Sequence, residues 1–241
     1  MSQSHRIEPK FSIAIAMRSL SLFLASLVLV IPAWADKAKD EETLRNAATV
    51  LSAMVDSNTV PQDTLSRANC VIILPSVKKG GFIVGGSGGR GPMLCRTGKD
   101  FKGAWSAPAM YTIGGASVGL QIGGSATDFV VLVMSAKGMN AILEGKTKLG
   151  NDATIAAGPS GATSSGTVGG TDMVSYGRAS GLFAGMSLGG ATLSPDDSAN
   201  QNLYGKAITA KEIVTQNGVR ATPGGQPLIS LLNAKAGKLG N

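Results

Sequence analysis

The stretch GGFIVGGSGGRGPM, Gly80 to Met93, decides how the rest of the chain is read. It contains Gly86-x-Gly88-x-x-Gly91, the spacing of a dinucleotide-binding loop, and Gly85-x-Ser87-x-Gly89, the spacing of a hydrolase nucleophile elbow. Both motifs need a helix to begin at the loop, because it is the helix N-terminus that meets the phosphate or frames the nucleophile. Here Pro92 and the residues MLCR continue as an extended segment instead. With 33 glycines in 241 residues, one G-x-G-x-x-G match is expected roughly 0.6 times by chance. The stretch therefore reads as strand, with small residues at alternate positions.

Working outward, the same two-residue period recurs. Between 111 and 125, Ala116, Val118, Leu120 and Ile122 fall on one face, with Gly115, Ser117, Gly119, Gln121 and Gly123 on the other. Residues 182 to 190 repeat the scheme, with Leu182, Ala184, Met186 and Leu188 opposed to Gly185, Ser187 and Gly189. Glycine weakens an isolated strand, so this density implies a closely approaching backbone or a tightly curved sheet. CVIILP from Cys70 and DFVVLVM from Asp128 read as fully buried strands. The segment 158 to 170 reads as a low-complexity loop.

Helices bracket these strands. Residues 36 to 57 carry Leu44, Ala48, Leu51 and Val55 on one stripe, behind four early acids, Asp36, Asp40, Glu41 and Glu42. Those acids argue against contact with an anionic surface and favour a helix that packs on the core. A short helix from Pro61 toward Ala68 follows, with Thr59 near its cap. Ser135 caps another through Leu143, and further helices are expected up to Tyr204, around Lys211 to Val214, and from Gln226 to Gly237. Helices, then many strands, then helices give an α+β fold with a largely antiparallel, strongly curved or barrel-like glycine-rich sheet.

The first segment is read apart from this domain. Arg18 precedes the apolar run LSLFLASLVLVIPAWA, and Ala33-Trp34-Ala35 is a small-x-small cleavage pattern, so residues 1 to 35 read as a signal peptide. Met17 is a second candidate start. Residues 36 to 241 then form a single exported domain in the periplasm or at the envelope, soluble or peripheral to a membrane. Removing Arg6, Lys10, Arg18 and Glu8 lowers the net charge from +7 to +5. A basic exported protein points to anionic membrane or an acidic partner and not to nucleic acid.

The composition excludes several chemistries. The single histidine, His5, lies in the leader, so a Ser-His-Asp site or an imidazole-ligated metal site is not expected. G-x-S-x-G occurs around Ser87, Ser117 and Ser187 for one reason, alternation on a strand. Ser76-x-x-Lys79 lacks the helix start of a β-lactamase motif, and EGKT at 144 to 147 has Asn140 where a P-loop needs its first glycine. No enzyme, cofactor or metal is expected. Cys70 and Cys95, the only cysteines, are either a disulfide or two buried thiols. Lys78, Lys79, Arg90, Arg96, Lys99 and Lys102 fall within 25 residues against one acid, Asp100. They are either a solvated hairpin surface or a set facing lipid phosphates, with Phe82, Phe101 and Trp105 entering the interfacial zone or the core.

Four ordered blocks carry a resemblance: ILPSVKKGGFIVGGSGGRGPML, WSAPAMYTIGGASVGLQIGGSATDFVVLVMS, LGNDATIAAGP and SYGRASGLFAGMSLGGATLSPDDSANQNLYG. In order and spacing they resemble the SYLF domain family over about residues 43 to 215. The resemblance implies the family fold and binding of phosphoinositides or other anionic phospholipids, in a non-catalytic role at an envelope membrane surface. In eukaryotic relatives lipid contact is attributed to a basic N-terminal helix, whereas here that helix starts acidic. The expected lipid-facing residues are therefore Lys78, Lys79, Arg90, Arg96, Lys99 and Lys102, with Phe82, Phe101 and Trp105. Actin binding, a property of some relatives, does not suit an exported bacterial chain. The alternative function is a structural protein of the envelope that pairs with a protein partner or with copies of itself.

Overall fold

A computed structural model describes residues 32–81, 84–98, 101–118, 123–157, 171–179, 188–216 and 218–237. Among them eight strands form one curled sheet: β1 (Cys70–Gly81), β2 (Val84–Cys95), β3 (Ala109–Val118), β4 (Gly123–Val133), β5 (Thr147–Lys148), β6 (Ile155–Ala157), β7 (Met173–Ala179) and β8 (Thr192–Pro195). Their order is β5-β8-β3-β2-β1-β4-β7-β6. Every pairing is antiparallel except β6 with β7. Six helices accompany the sheet: α1 (Pro32–Asp56), α2 (Gln62–Arg67), α3 (Ala136–Leu143), α4 (Asp197–Tyr204), α5 (Ala210–Thr215) and α6 (Gln226–Lys235). The expected α+β class and the helices at both ends of the domain are present.

Alternation on the strands builds a core on each face of the sheet. Cys70, Ile72 and Leu74 of β1, with Met93, Tyr111, Phe129 and Val131, pack against α3 and α5 through Ile142, Ile213 and Val214. Val71 and Ile73, with Leu94, Met110, Val130 and Leu132, pack against α1, α2, α4 and α6 through Leu44, Leu51, Met54, Leu65, Leu203 and Leu228. At about 25 cal/mol per Å² of apolar surface, such burial on both faces is the main stabilising term. Because both faces of the central strands are covered, CVIILP and DFVVLV are continuous apolar runs.

The phase of β1 changes once. Its register shifts against β2 between Ile72 and Lys78, and against β4 between Leu74 and Val77. The extra residue sits at Pro75-Ser76, where proline has no N–H to give and Ser76 takes φ 51°. The Ser76 N–H donates instead to Asp128 Oδ1 at 2.9 Å. Beyond this bulge Val77 joins the core that Leu74 faces. Lys79 follows Val77 on that face, and Lys78 falls on the face of Val71 and Ile73.

Several expectations are revised. Residues 111 to 125 are not one strand: β3 ends at Val118 and β4 begins at Gly123, with Leu120 and Ile122 outside the described residues. Of the strand expected at 182 to 190, residues 182 to 187 also lie outside them, and residues 188 to 190 are not strand; β8 begins two residues later. Segment 158 to 170 is likewise outside them. Pro61, expected to start α2, is its N-cap, and Thr59, two residues before it, bonds Ser57 through its hydroxyl. Ser135 caps α3 by accepting from the Gly138 N–H.

The glycines divide into two kinds. A Cβ on Gly91 would collide with the carbonyl of Ile73, and one on Gly89 would come within 2.8 Å of Val77 Cγ2. These two permit the close approach that the sequence suggested. Gly86, Gly88 and Gly114 are different, since a Cβ there would meet nothing among the described residues nearer than 3.9, 4.0 and 3.8 Å.

Candidate functional site

The hairpin of β1 and β2 has two ends. At one, Cys70 stands opposite Cys95, and the two are joined by a disulfide within the first core. At the other, Lys78 stands opposite Gly88, Lys79 opposite Ser87, Gly80 opposite Gly86 and Gly81 opposite Gly85. The neighbouring strands continue the pattern: Lys78 faces Ala126 of β4, and Gly86 and Gly88 face Ala116 and Gly114 of β3. Eight residues separate Cys70 from Lys78, so at 3.3 Å per residue the two ends lie roughly 25 Å apart.

This geometry splits the expected basic cluster. Lys78 is exposed and Lys79 half-buried at the glycine-rich end. Neither takes part in an ion pair or side-chain hydrogen bond among the described residues. Lys102 is exposed, but it follows the disulfide end of the hairpin and does not join them. Lys99 and Phe82 lie outside the described residues. Phe101 is partly buried against the first core.

Arg90 is engaged internally. Its Nη2 donates to Asp40 Oδ1 of α1 and lies 3.8 Å from Asp196 Oδ2, at the N-cap of α4. Asp40 has only 3% of its side chain exposed. Burial pushes its carboxyl above the usual range, opposed by the Arg90 charge and its hydrogen bond. The pair ties α1 to β2 and to the start of α4, and leaves Arg90 a structural cation.

Arg96 and Trp105 are also corrected to structural roles. Arg96 is 2% exposed. Its Nη2 donates to Ala236 O and Gly237 O, each at 2.7 Å, and to Ser66 O at 3.2 Å, while Nε donates to Ala68 O at 3.3 Å. The guanidinium lies over the Trp105 ring, 4.4 Å from its centroid, and Trp105 Nε1 donates to Ala236 O as well. Backbone carbonyls left over at the ends of α2 and α6 thus find their donors in one buried cation. Neither side chain is on the surface, so neither meets a membrane in this fold.

The acids of α1 also differ from their sequence reading. Asp40 and Glu41 are buried, Asp40 on Arg90 and Glu41 as acceptor from the Gly224 N–H. Asp36, Lys37, Lys39 and Glu42 are the charges left exposed at the start of the helix. The early turns of α1 are therefore neutral toward solvent and not acidic. The axis of α1 runs from the Asp40–Arg90 pair, midway along β2, to the Asp56–Lys235 pair near α6. Ala236, next to Lys235, accepts from Arg96, which follows Cys95, so that second end lies toward the disulfide. The first turns of α1, with Lys37 and Lys39, accordingly point toward the end that holds Lys78 and Lys79, advancing 1.5 Å per residue.

Among the described residues no helix is long and apolar enough to cross a membrane. The Ser87 hydroxyl, one of the alternating serines, is half-buried and donates to Gly115 O at 3.4 Å.

Comparison with known proteins gives one family throughout. Residues 114–235 match the family described as Ysc84, Las17-binding protein actin regulator. Protein YSC84 of Saccharomyces cerevisiae is 34% identical over 205 residues, covering 80% of this chain and 43% of the yeast protein. LAS seventeen-binding protein 3 of the same species is 34% identical, covering 80% of this chain and 44% of its own length. SH3 domain-containing YSC84-like protein 1 of Mus musculus is 32% identical over 180 residues, covering 73% of this chain and 52% of the mouse protein. The chain spans about half the length of these relatives.

Proposed function

The chain belongs to the Ysc84 family of SYLF-domain proteins, and from that premise we propose that it is a non-catalytic module binding anionic phospholipid at a membrane surface. One observation carries this reading. Of the three bases described on β1 to β4, Arg90 is consumed by Asp40 and Asp196, while Lys78 and Lys79 take part in no ion pair among the described residues and stand opposite Gly88 and Ser87 of β2. Ammonium groups beside small residues can approach headgroup phosphates, each contributing about 1 kcal/mol near an anionic surface. Lys37 and Lys39 on the first turns of α1 add charge toward the same end.

The leader-like segment ending at Ala33-Trp34-Ala35 supports export, so the membrane proposed is that of the cell envelope. The chain's lack of histidine beyond His5 supports a binding role without acid–base chemistry. Co-sedimentation of the purified protein with vesicles tests the proposal. Binding to phosphatidylglycerol-containing vesicles that is lost in moderate salt is expected. Equal binding to pure phosphatidylcholine would overturn it.

A protein partner is the second reading, favoured by a relative's name, LAS seventeen-binding protein 3. Size measurement across concentrations without lipid separates the two. Large species that form through the same end of the sheet would favour partner or self-association.

A further inference from the structure

The buried cation at Arg96 lies one residue from the disulfide, and the two share a short piece of sheet. At that end β1 and β2 pair through Cys70 with Cys95, Val71 with Leu94 and Ile72 with Met93 before their register shifts. The Arg96 N–H continues the ladder by donating to Asn69 O at 2.8 Å, and Arg96 is bridged to Trp105 on its other side. The backbone that aims the Arg96 side chain is thus the last step of a three-pair ladder, with a covalent staple across its final pair.

What that side chain holds comes from far along the chain. Ser66 O and Ala68 O belong to the end of α2, whereas Ala236 O and Gly237 O belong to the end of α6, 140 and 141 residues beyond Arg96. Trp105 adds its Nε1 donor to Ala236 O at 3.2 Å and its ring beneath the guanidinium. Among the described residues no carboxylate joins the guanidinium, so the carbonyls and the ring compensate its charge. A buried cation held by dipoles alone depends on its aim, because hydrogen bonds weaken steeply when misaligned and a buried charge is costly without them.

Both cysteines are fully buried in the first core. Two thiols need more room than one bridge, since their sulfurs must part from bonded to non-bonded contact. In packing as dense as a crystal that displacement passes to the backbone, and the residues next in line are Asn69 and Arg96.

We propose that the Cys70–Cys95 bridge is a redox device that governs the seating of α6. Oxidised, it aims Arg96 at the ends of α2 and α6; reduced, it lets the guanidinium lose Ala236 O and Gly237 O, and the last turn of α6 opens. The chemistry is thiol–disulfide exchange with a dithiol. One thiolate attacks a sulfur of the bridge to give a mixed disulfide, and the second thiol resolves it. The protein gains two electrons and two protons as the dithiol becomes a disulfide. The device is independent of the lipid-binding reading, because Lys78 and Lys79 stand at the other end of the hairpin.

Amide hydrogen exchange reads it. The purified chain is compared oxidised, reduced by dithiothreitol with the gain of two protons checked by mass, and as Cys70→Ala/Cys95→Ala, which lacks the bridge without any need for a reductant to reach it. Loss of the bridge is expected to speed exchange at Leu232 to Gly237 roughly tenfold more than in α5, which packs on the opposite face of the sheet. Arg96→Lys with the bridge intact keeps the charge and loses the forked donor, and it is expected to speed the same amides selectively. Removing the bridge from Arg96→Lys should then add no selective effect. Trp105→Phe keeps a ring and loses the Nε1 donor, so it supplies a milder form of the same comparison if Arg96→Lys does not fold. Acceleration of α5 and α6 by the same factor would be a general loss of stability and overturns the proposal. Unchanged exchange at α6 without the bridge overturns it too, as does a full further selective acceleration when the bridge is removed from Arg96→Lys.

Discussion

Arg90 on β2 and Asp40 on α1 form a pair in which the carboxylate is buried and the guanidinium half-buried. It explains why a base in the middle of the glycine-rich stretch is no part of a surface. It also explains why an acid at the start of α1 does not repel one. Breaking a buried pair by removing one partner is costly, because the other charge is left uncompensated. Arg90→Ala is expected to destabilise the domain by about 3–5 kcal/mol, read as a lower urea midpoint. The folded fraction should bind anionic vesicles as the unaltered protein does. A stable variant with weakened vesicle binding would return Arg90 to the lipid-facing set.

The two kinds of glycine should respond oppositely to the same change. Gly91→Ala pushes a methyl group into the Ile73 carbonyl on the neighbouring strand and is expected to cost at least about 2 kcal/mol. Gly88→Ala meets only an ordinary contact among the described residues and reduces the freedom of the unfolded chain, so a change within about 0.5 kcal/mol, or a slight gain, is expected. Thermal unfolding of the two variants side by side checks both.

The disulfide between Cys70 and Cys95 closes the end of the hairpin remote from the lysines, across a sequence separation of 25. A loop of that size restricts the unfolded chain by about 3 kcal/mol. Changing both cysteines to alanine should lower stability by about that amount while leaving vesicle affinity per folded molecule unchanged. A mass difference of two protons between the protein before and after reduction confirms the bridge.

Acid sensitivity should come in part from Asp172. Its carboxylate accepts from the Ser135 hydroxyl at 2.6 Å and from the Thr154 N–H and hydroxyl, with Lys137 nearby, and these hold its pKa at about 2, below the usual 3.8. A carboxyl lowered in the folded state gives stability that is present above its unfolded pKa and lost as the pH falls through the folded one. Stability should therefore decline between about pH 4 and pH 2, and the decline should be shallower in Asp172→Asn. An identical acid limb in the variant would exclude Asp172 as a source.

Much of this fold can be read in the sequence, because alternation and capping are local signals. The runs at Cys70 and Asp128, the Ser135 cap and the terminal helix all follow from periods of two or 3.6 residues. The bulge at Pro75-Ser76 is harder, since it depends on Asp128 from a distant strand accepting the freed N–H. Of the expected basic residues, Lys78 and Lys79 are the two kept in the proposed site. Arg90 and Arg96 have the same local character, but their partners come from α1, α2, α4 and α6, far along the chain. A signal for α1 is present in the sequence. Asp40 precedes Leu44 by four residues and Glu41 precedes it by three, so both belong to the buried stripe, and their charges should not count toward the surface.

The most direct test of the central claim compares the unaltered protein with Lys78→Glu/Lys79→Glu in a titration against phosphatidylglycerol-containing vesicles at low salt. The account predicts that this reversal weakens binding roughly a hundredfold or more while the unfolding midpoint stays unchanged, because neither lysine has an ion-pair partner among the described residues. Binding unchanged by the double reversal, in a protein that remains folded, would contradict it.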